Sequence, residues 1–228
     1  MMKLYGTPPT RAIRALWLIN ELDLACEVIP VDIPAGEHHG EAFRTINPLG
    51  KIPALLDGDL VIAESAAIMM HLAEVHGRGR FIPTDSRLRA EMHQWMFYLA
   101  TEIEQPLWRS ALHSAIYPED QRVPGDIACA ERDCRRMLQP LEAHMADREV
   151  FVGSDLTVAD FMAAYTLDWT GFVGWLDTSP NLSRFVERMY ARPEAPPRIE
   201  EGFAFLQRGE FAPNRRAEIG RKNAPLRA

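Results

Sequence analysis

The chain has 228 residues, of which 47% are apolar and 25% charged, and its formal net charge is −7. These values suit a globular protein of one or two domains, and the negative charge gives no electrostatic argument for binding nucleic acid. No apolar run is long enough to span a bilayer, and MMKLYGTPP turns polar too soon for a secretory signal. Three cysteines without a Cys-x-x-Cys pair favour a reducing, cytoplasmic compartment.

The first 76 residues alternate strand-like and helix-like segments. In chain order the expected elements are a strand MKLYG, a helix RAIRALWLINELDL, a strand CEVIPVDI, one irregular helical turn, a hairpin of PALLD and LVIA, and a helix SAAIMMHLAEVH. The first half predicts parallel strand pairing through a right-handed crossover, and the hairpin adds antiparallel strands. The order therefore predicts a mixed four-stranded α/β sheet.

The rest of the chain has no strand pattern. After a linker at residues 77–86, apolar spacing predicts a long helix that Pro106 should kink or end. Further helices are expected from Ile127 to Met145 and at residues 157–169, 181–191 and 197–207. Thr157 and Asp160 have the spacing of a capping box, which is a folding signal without a chemical role.

The pattern predicts three regions, an α/β domain at residues 1–78, an all-helical domain at 86–208 and a tail at 209–228. From Asn214 onward the tail carries five arginine or lysine residues against one glutamate. Such a short charged segment is more often solvated than a binding element.

Pro53 stands where the first strand of the hairpin should begin. A trans proline would only open the strand. A cis bond, which costs ~0.5–1 kcal/mol before proline, would turn the N–H and C=O of Ile52 outward to pair with an extended peptide. The sequence leaves both alternatives open.

Glu64 and Ser65 begin the next helix, where free N–H groups bind carboxylates. Ser65 adds a donor and Glu64 suits an ammonium group, although simple helix capping is the alternative. His38, His39 and Lys51 suit a second carboxylate. The two histidines have no third ligand at a sensible spacing, so no metal site is expected.

Thr10 begins the first helix, either as an N-cap or as a hydroxyl aimed at an anion. Tyr5, at the end of the first strand, is the alternative hydroxyl, or else a core residue. Together with the groups above, these residues describe a site for a small peptide that has one amino-carboxylate end and one further carboxylate.

Residues 36–73, GEHHGEAFRTINPLGKIPALLDGDLVIAESAAIMMHLA, resemble the cytosolic glutathione transferases, most of all the phi, theta and delta classes in a bacterial form. The specific features are NP-x-G-K-I-P, the DGD hairpin and E-S before a helix. TVAD and RPEAPP carry a looser likeness, and the resemblance extends over about residues 2–205. It implies a thioredoxin-like domain followed by an all-helical substrate-binding domain. A homodimer is expected on other grounds, because the helix at residues 65–75 is apolar on more faces than one sheet can cover and C2 dimers are the commonest oligomers.

The resemblance also implies glutathione as co-substrate and no metal. Ile52 before cis-Pro53 would pair with the cysteinyl unit, and Ser65 would take the γ-glutamyl carboxylate with Glu64 near the amine. The positions that match those meeting the glycyl carboxylate are His38, His39 and Lys51. Thr10 falls where these classes place a catalytic serine, and Tyr5 falls near the tyrosine of the alpha, mu and pi classes.

The sequence departs from the family pattern in two places and leaves the assignment of the electrophile pocket open. Threonine in place of serine keeps the hydroxyl but has fewer rotamers. No cysteine lies at positions 7–11, so disulfide reduction by a cysteine nucleophile is not expected. The electrophile is expected against the long helix, where Trp95, Tyr98 and Trp108 are available unless they serve core or dimer packing.

The leading hypothesis is a glutathione transferase that directs the thiolate of reduced glutathione at an electrophilic, apolar small molecule. The alternative is a transferase-like binding or regulatory protein with little catalysis.

Overall fold

The computed structural model describes residues 1–6 and 8–210, so the basic segment from Asn214 lies outside the described residues. The chain forms two compact units. One comprises Met1–Ile82 with the described residues from Arg192 onward, and the other comprises Pro83–Ala191. Within these residues, no helix is long and apolar enough to cross a membrane.

The first unit contains a four-stranded sheet. Its strands are β1 (Met2–Tyr5), β2 (Cys26–Ile29), β3 (Ala54–Asp57) and β4 (Leu60–Ala63). They lie in the order β2-β1-β3-β4, with β1 parallel to β2 and the other two pairs antiparallel. The predicted mixed sheet is therefore confirmed. β2 is shorter than CEVIPVDI predicted, because Pro30 has no N–H for the strand ladder.

Helices cover this sheet and extend the unit. They are α1 (Ala12–Glu21), the one-turn α2 (Glu41–Arg44), α3 (Ser65–His71), which continues as a π-helix at Leu72–His76, and α9 (Ile199–Gln207). Every residue of α1 is buried, and α1 packs against α3. A core cluster of Tyr5, Val31, Phe43 and Ala54 lies against the sheet.

The segment after Arg192 joins the first unit, whereas the sequence grouped residues up to 208 with the helical domain. The Arg192 guanidinium donates two hydrogen bonds of 2.7 Å to the carboxylate of Glu21, at the end of α1. In α9, Gly202 lies so close to the β1–α1 loop that an added Cβ would be 2.8 Å from Cβ of Pro9. These contacts are local to the first unit and have no sequence signature.

The second unit is all-helical, as predicted. Its elements are α4 (Ser86–Tyr98), a π-helix (Leu99–Glu104), α5 (Gln105–Ala111), a π-helix (Leu112–Ile116), α6 (Pro124–His144), α7 (Val158–Phe172) and α8 (Pro180–Tyr190). Pro106 does not end the helical run, because the π-helix directly before it changes the hydrogen-bond spacing where proline has no N–H to donate.

The capping box predicted at the start of α7 is present. The buried carboxylate of Asp160 accepts hydrogen bonds from the backbone N–H groups of Thr157 at 2.7 Å and Phe151 at 2.8 Å. It therefore joins the helix start to the preceding loop, which is a structural role.

Candidate functional site

The strand register brings three chain segments to one end of the sheet. Ala54 of β3 pairs with Tyr5 of β1 on one side and with Ala63 of β4 on the other. The residues just beyond these partners therefore lie side by side. They are Gly6 after β1, the Ile52–Pro53 dipeptide before β3, and Glu64 with Ser65 at the start of α3. Thr10 follows Gly6 by four positions, just before α1.

The Ile52–Pro53 peptide bond is cis. Ile52 precedes β3, and its side chain packs on the core cluster and on Gly6, where an added Cβ would lie 3.2 Å from Cβ of Ile52. The buried Asn47 donates a hydrogen bond of 2.6 Å from Nδ2 to the carbonyl oxygen of Lys51. Asn47 thus holds the loop in front of the dipeptide. It is the asparagine of the NP-x-G-K-I-P motif, but sequence reasoning assigned it no role.

Ser65 is 4% exposed, and its Oγ accepts a hydrogen bond of 3.0 Å from Nη1 of Arg14, which is 1% exposed. Because that bond uses an oxygen lone pair, the Ser65 proton can be donated elsewhere. The buried guanidinium also places positive charge beside the N-terminus of α3. Sequence reasoning missed Arg14, since an arginine inside a helical stripe is usually a surface residue.

Glu64 precedes α3 with φ 69° and ψ 112°, a conformation that few non-glycine residues adopt. Its side chain is exposed, and within the described chain it makes no hydrogen bond that caps α3. Simple capping therefore does not describe Glu64. Strained backbone of this kind concentrates at ligand sites, and here it leaves the carboxylate at the surface beside Ser65.

The turn Glu37–His39 lies against the loop that carries Lys51. A Cβ added to Gly50 would be 2.9 Å from the carbonyl oxygen of His38 and 3.2 Å from Nδ1 of His39. The two imidazole rings are 3.8 Å apart between centroids. The pKa of His38 is lowered, first by burial and then by the charge of His39, which disfavours its cationic form.

Thr10 is half-buried just before α1. Its Oγ1 accepts a hydrogen bond of 3.3 Å from the N–H of Ala12, and its carbonyl accepts one of 3.0 Å from Ile13. These are the contacts of an N-cap. The two interpretations of Thr10 are compatible, because accepting from Ala12 does not use the hydroxyl proton.

Tyr5 has the environment of a core residue. Its buried ring meets Phe43 edge-on at 6.2 Å between centroids, and burial raises the pKa of its phenol. Both observations favour the core interpretation of Tyr5 over a role in thiolate formation.

Two of the three residues assigned to an electrophile pocket make core contacts in the helical unit. The ring of Trp95 lies 4.4 Å from that of His144, and the Tyr98 hydroxyl donates to the carbonyl of Met137 at 2.8 Å. Trp108 is half-buried. The assignment of these residues to an electrophile pocket stays a prediction.

Comparison with known proteins gives consistent matches over both units. The model of the glutathione S-transferase N-terminal domain matches residues 1–74, and that of the C-terminal domain matches residues 105–193. A glutathione S-transferase of Hyoscyamus muticus is 30% identical over 200 residues, which are 84% of this chain and 94% of that protein. Glutathione S-transferase F9 of Arabidopsis thaliana is 31% identical over 167 residues, which are 70% of this chain and 76% of that protein.

Among solved structures, glutathione transferase URE2P5 from Phanerochaete chrysosporium is 24% identical with a TM-score of 0.78, covering 92% of this chain and 98% of that one. At this identity the likeness shows the fold alone. The expected bacterial form stays a prediction. The two family models, together with a relative that is 30% identical and aligned over 94% of its own length, show that this chain belongs to the glutathione S-transferase family, which takes glutathione as co-substrate.

Proposed function

We propose that this chain joins the thiolate of reduced glutathione to an electrophilic carbon of an apolar small molecule. A sulfur–carbon bond forms while the bond from that carbon to its leaving group breaks. The observation that carries the proposal is the register around Ala54, because it brings Gly6, Ile52–Pro53 and Glu64–Ser65 to one end of the sheet. Thr10, four positions after Gly6, is proposed to complete the site.

The γ-glutamyl end of glutathione binds at the start of α3. Its carboxylate accepts from the Ser65 hydroxyl and the first N–H groups of the helix, and its ammonium pairs with Glu64. Arg14 supports this arrangement through its hydrogen bond to Ser65 Oγ. The backbone of Ile52 pairs with the cysteinyl unit, as an added strand would.

The glycyl carboxylate binds between the turn Glu37–His39 and the loop of Lys51. Lys51 is exposed and supplies the positive charge. His38 supplies a neutral donor, since burial and the neighbouring His39 lower its pKa and favour the uncharged imidazole. His39 stacks on the same ring and limits its orientation.

Thr10 stabilises the thiolate. A free cysteine thiol has a pKa of about 8.5, and lowering it by about 2 requires ~2.7 kcal/mol of preference for the thiolate. A hydrogen bond to a charged group contributes ~1.5–3 kcal/mol and a helix N-terminus ~0.3–1 kcal/mol. One hydroxyl above the start of α1 therefore suffices when its proton points at the sulfur.

We also propose that the protein detoxifies apolar electrophiles in the cytoplasm and that it acts as a homodimer. The candidates for its electrophile pocket are Trp95, Tyr98 and Trp108. Exposed apolar side chains in the first unit support the dimer, since Val75 is 60% exposed and Leu60 and Val61 are each 44% exposed.

Thermal stability with and without reduced glutathione, followed by turnover of a generic chloronitrobenzene, tests the proposal. We expect glutathione to raise the melting temperature and the chloride to be displaced. Stabilisation without turnover would favour the alternative hypothesis, in which the chain binds glutathione but catalyses little. Absence of both effects would reject the assigned site.

A further inference from the structure

Three side chains that the glutathione site does not use meet at the other end of β3. Asp57 is the last residue of β3, and its Oδ2 lies 2.9 Å from Nε2 of His71 and 2.7 Å from Nε2 of His76. All three donor atoms lie within 4.8 Å of one another, and no other group of three such residues occurs within residues 1–6 and 8–210. The side chains are 21%, 16% and 27% exposed, so solvent ions reach them.

The π-helix after α3 is what brings the two histidines together. His71 is the last residue of α3, and His76 is the last residue of the π-helix Leu72–His76, five positions later. In an α-helix a separation of five residues turns a side chain by about 140°. The i→i+5 hydrogen bonds of a π-helix widen its turn, so residues five apart lie closer to one face than they do in an α-helix. Both imidazoles here face Asp57, and π-helical segments are frequent at functional sites.

We propose that Asp57, His71 and His76 bind one divalent first-row transition metal ion, for which Zn²⁺ is the probe. Two neutral imidazoles and one carboxylate suit zinc, nickel or cobalt better than magnesium or calcium, which prefer oxygen ligands. Metal–ligand bonds of about 2.0–2.1 Å hold tetrahedral donor atoms about 3.4 Å apart. The two present nitrogen–oxygen separations, 2.9 and 2.7 Å, would need to open by about 0.5 and 0.7 Å.

The metal takes the place of the two Nε2–H protons that point at the carboxylate. In each neutral imidazole that proton moves to Nδ1, which leaves the Nε2 lone pair free to coordinate. Water completes the coordination, because three protein ligands leave one tetrahedral position open. β3 spans Ala54–Asp57, so the metal lies about 10 Å along the strand from the Ile52–Pro53 end. The site is therefore separate from the glutathione site, and its occupancy is measured without reference to conjugation.

Metal binding to the full chain without any affinity tag tests the proposal. The protein is treated with a chelator and desalted, then titrated with Zn²⁺ by calorimetry and with Co²⁺ by visible absorption. We expect one ion per chain with micromolar or lower Kd, and a cobalt spectrum without the intense sulfur-to-metal band that cysteine would cause. No uptake by the wild-type protein at 100 µM Zn²⁺ would overturn the proposal, and so would a sulfur-to-metal band in its cobalt spectrum. Neither result requires a variant.

Two variants and a matched control locate the ion. His76→Gln and Asp57→Asn keep hydrogen-bonding groups but remove a ligand, and each should weaken Zn²⁺ binding by about 100-fold or more. The control is His113→Gln, because His113 Nε2 pairs with Asp126 at 3.1 Å without a second histidine. Equal affinity in wild type and His76→Gln would show that the three side chains form only a hydrogen-bond network.

Discussion

Thr10→Ala is the substitution that tests the proposed chemistry in most depth. It removes the hydroxyl that is proposed to face the glutathione sulfur and leaves the rest of the site in place. A hydrogen bond to a charged group contributes about 1.5–3 kcal/mol, which corresponds to a rise of about 1 to 2 in the pKa of the bound thiol. At pH 6.5, which equals the pKa proposed for the wild-type complex, the thiolate fraction and with it the conjugation rate should therefore fall about 5- to 50-fold.

The same substitution removes the N-cap, since Thr10 Oγ1 accepts from Ala12 at 3.3 Å. Loss of a cap costs about 1 kcal/mol, which lowers the melting temperature by about 2–4 °C in a chain of this size. The assay must separate the two effects. The pKa of the bound thiol is read from thiolate absorbance against pH, and stability from thermal unfolding.

Thr10→Ser and Tyr5→Phe are the matched controls. Serine keeps the oxygen and should keep both the thiol pKa and the rate. Tyr5→Phe removes only a buried phenol and should change the rate little. The reasoning is refuted if Thr10→Ala retains the wild-type thiol pKa and rate, or if Tyr5→Phe causes the larger loss.

Three further substitutions address the support of the site and the fold. Arg14→Met should raise KM for glutathione about tenfold and change kcat little at saturation, with partial rescue by Arg14→Lys, because Arg14 orients Ser65 at 3.0 Å; an unchanged KM would contradict this. Gly202→Ala should slow conjugation more than it lowers stability, because its Cβ would lie 2.8 Å from Pro9 and displace the Thr10 loop; wild-type kinetics would refute the link. Burial raises the pKa of Asp160 from 3.8 to about 6 against the hydrogen bonds that lower it. Its proton is held more tightly in the folded state, so its contribution to stability is lost as pH rises. By urea unfolding, the stability of wild type relative to Asp160→Asn should fall by on the order of 3 kcal/mol between pH 4 and 7, and an advantage that grows with pH would contradict the sign.

The sheet could be predicted because each of its signals is local. The short β-branched runs and the turn at Gly58 depend only on neighbouring residues, and both are present in the structure. The same holds for the capping box at Thr157, which begins a helix of the second unit. Prediction was less complete where proline was concerned. Pro106 was expected to kink or end its helix, but the helical run does not end there, because a π-helix at Leu99–Glu104 is followed by α5 up to Ala111.

The groups that support the site could not be predicted, because their partners are distant in sequence. Arg14 meets Ser65 across 51 positions, and α9 meets Pro9 from near the end of the described chain. The cluster of Asp57, His71 and His76 was missed for a different reason. Neither interval matches a known metal motif, and two histidines five residues apart face the same way only in a π-helix.

The most direct test of the central claim is the pKa of the glutathione thiol bound to the wild-type chain. Thiolate absorbance is followed against pH at saturating glutathione, with binding checked separately by thermal shift. The proposed site predicts a pKa of about 6.5, about 2 below that of a free thiol. A bound thiol that titrates as free glutathione does would show that the chain binds its co-substrate without activating it.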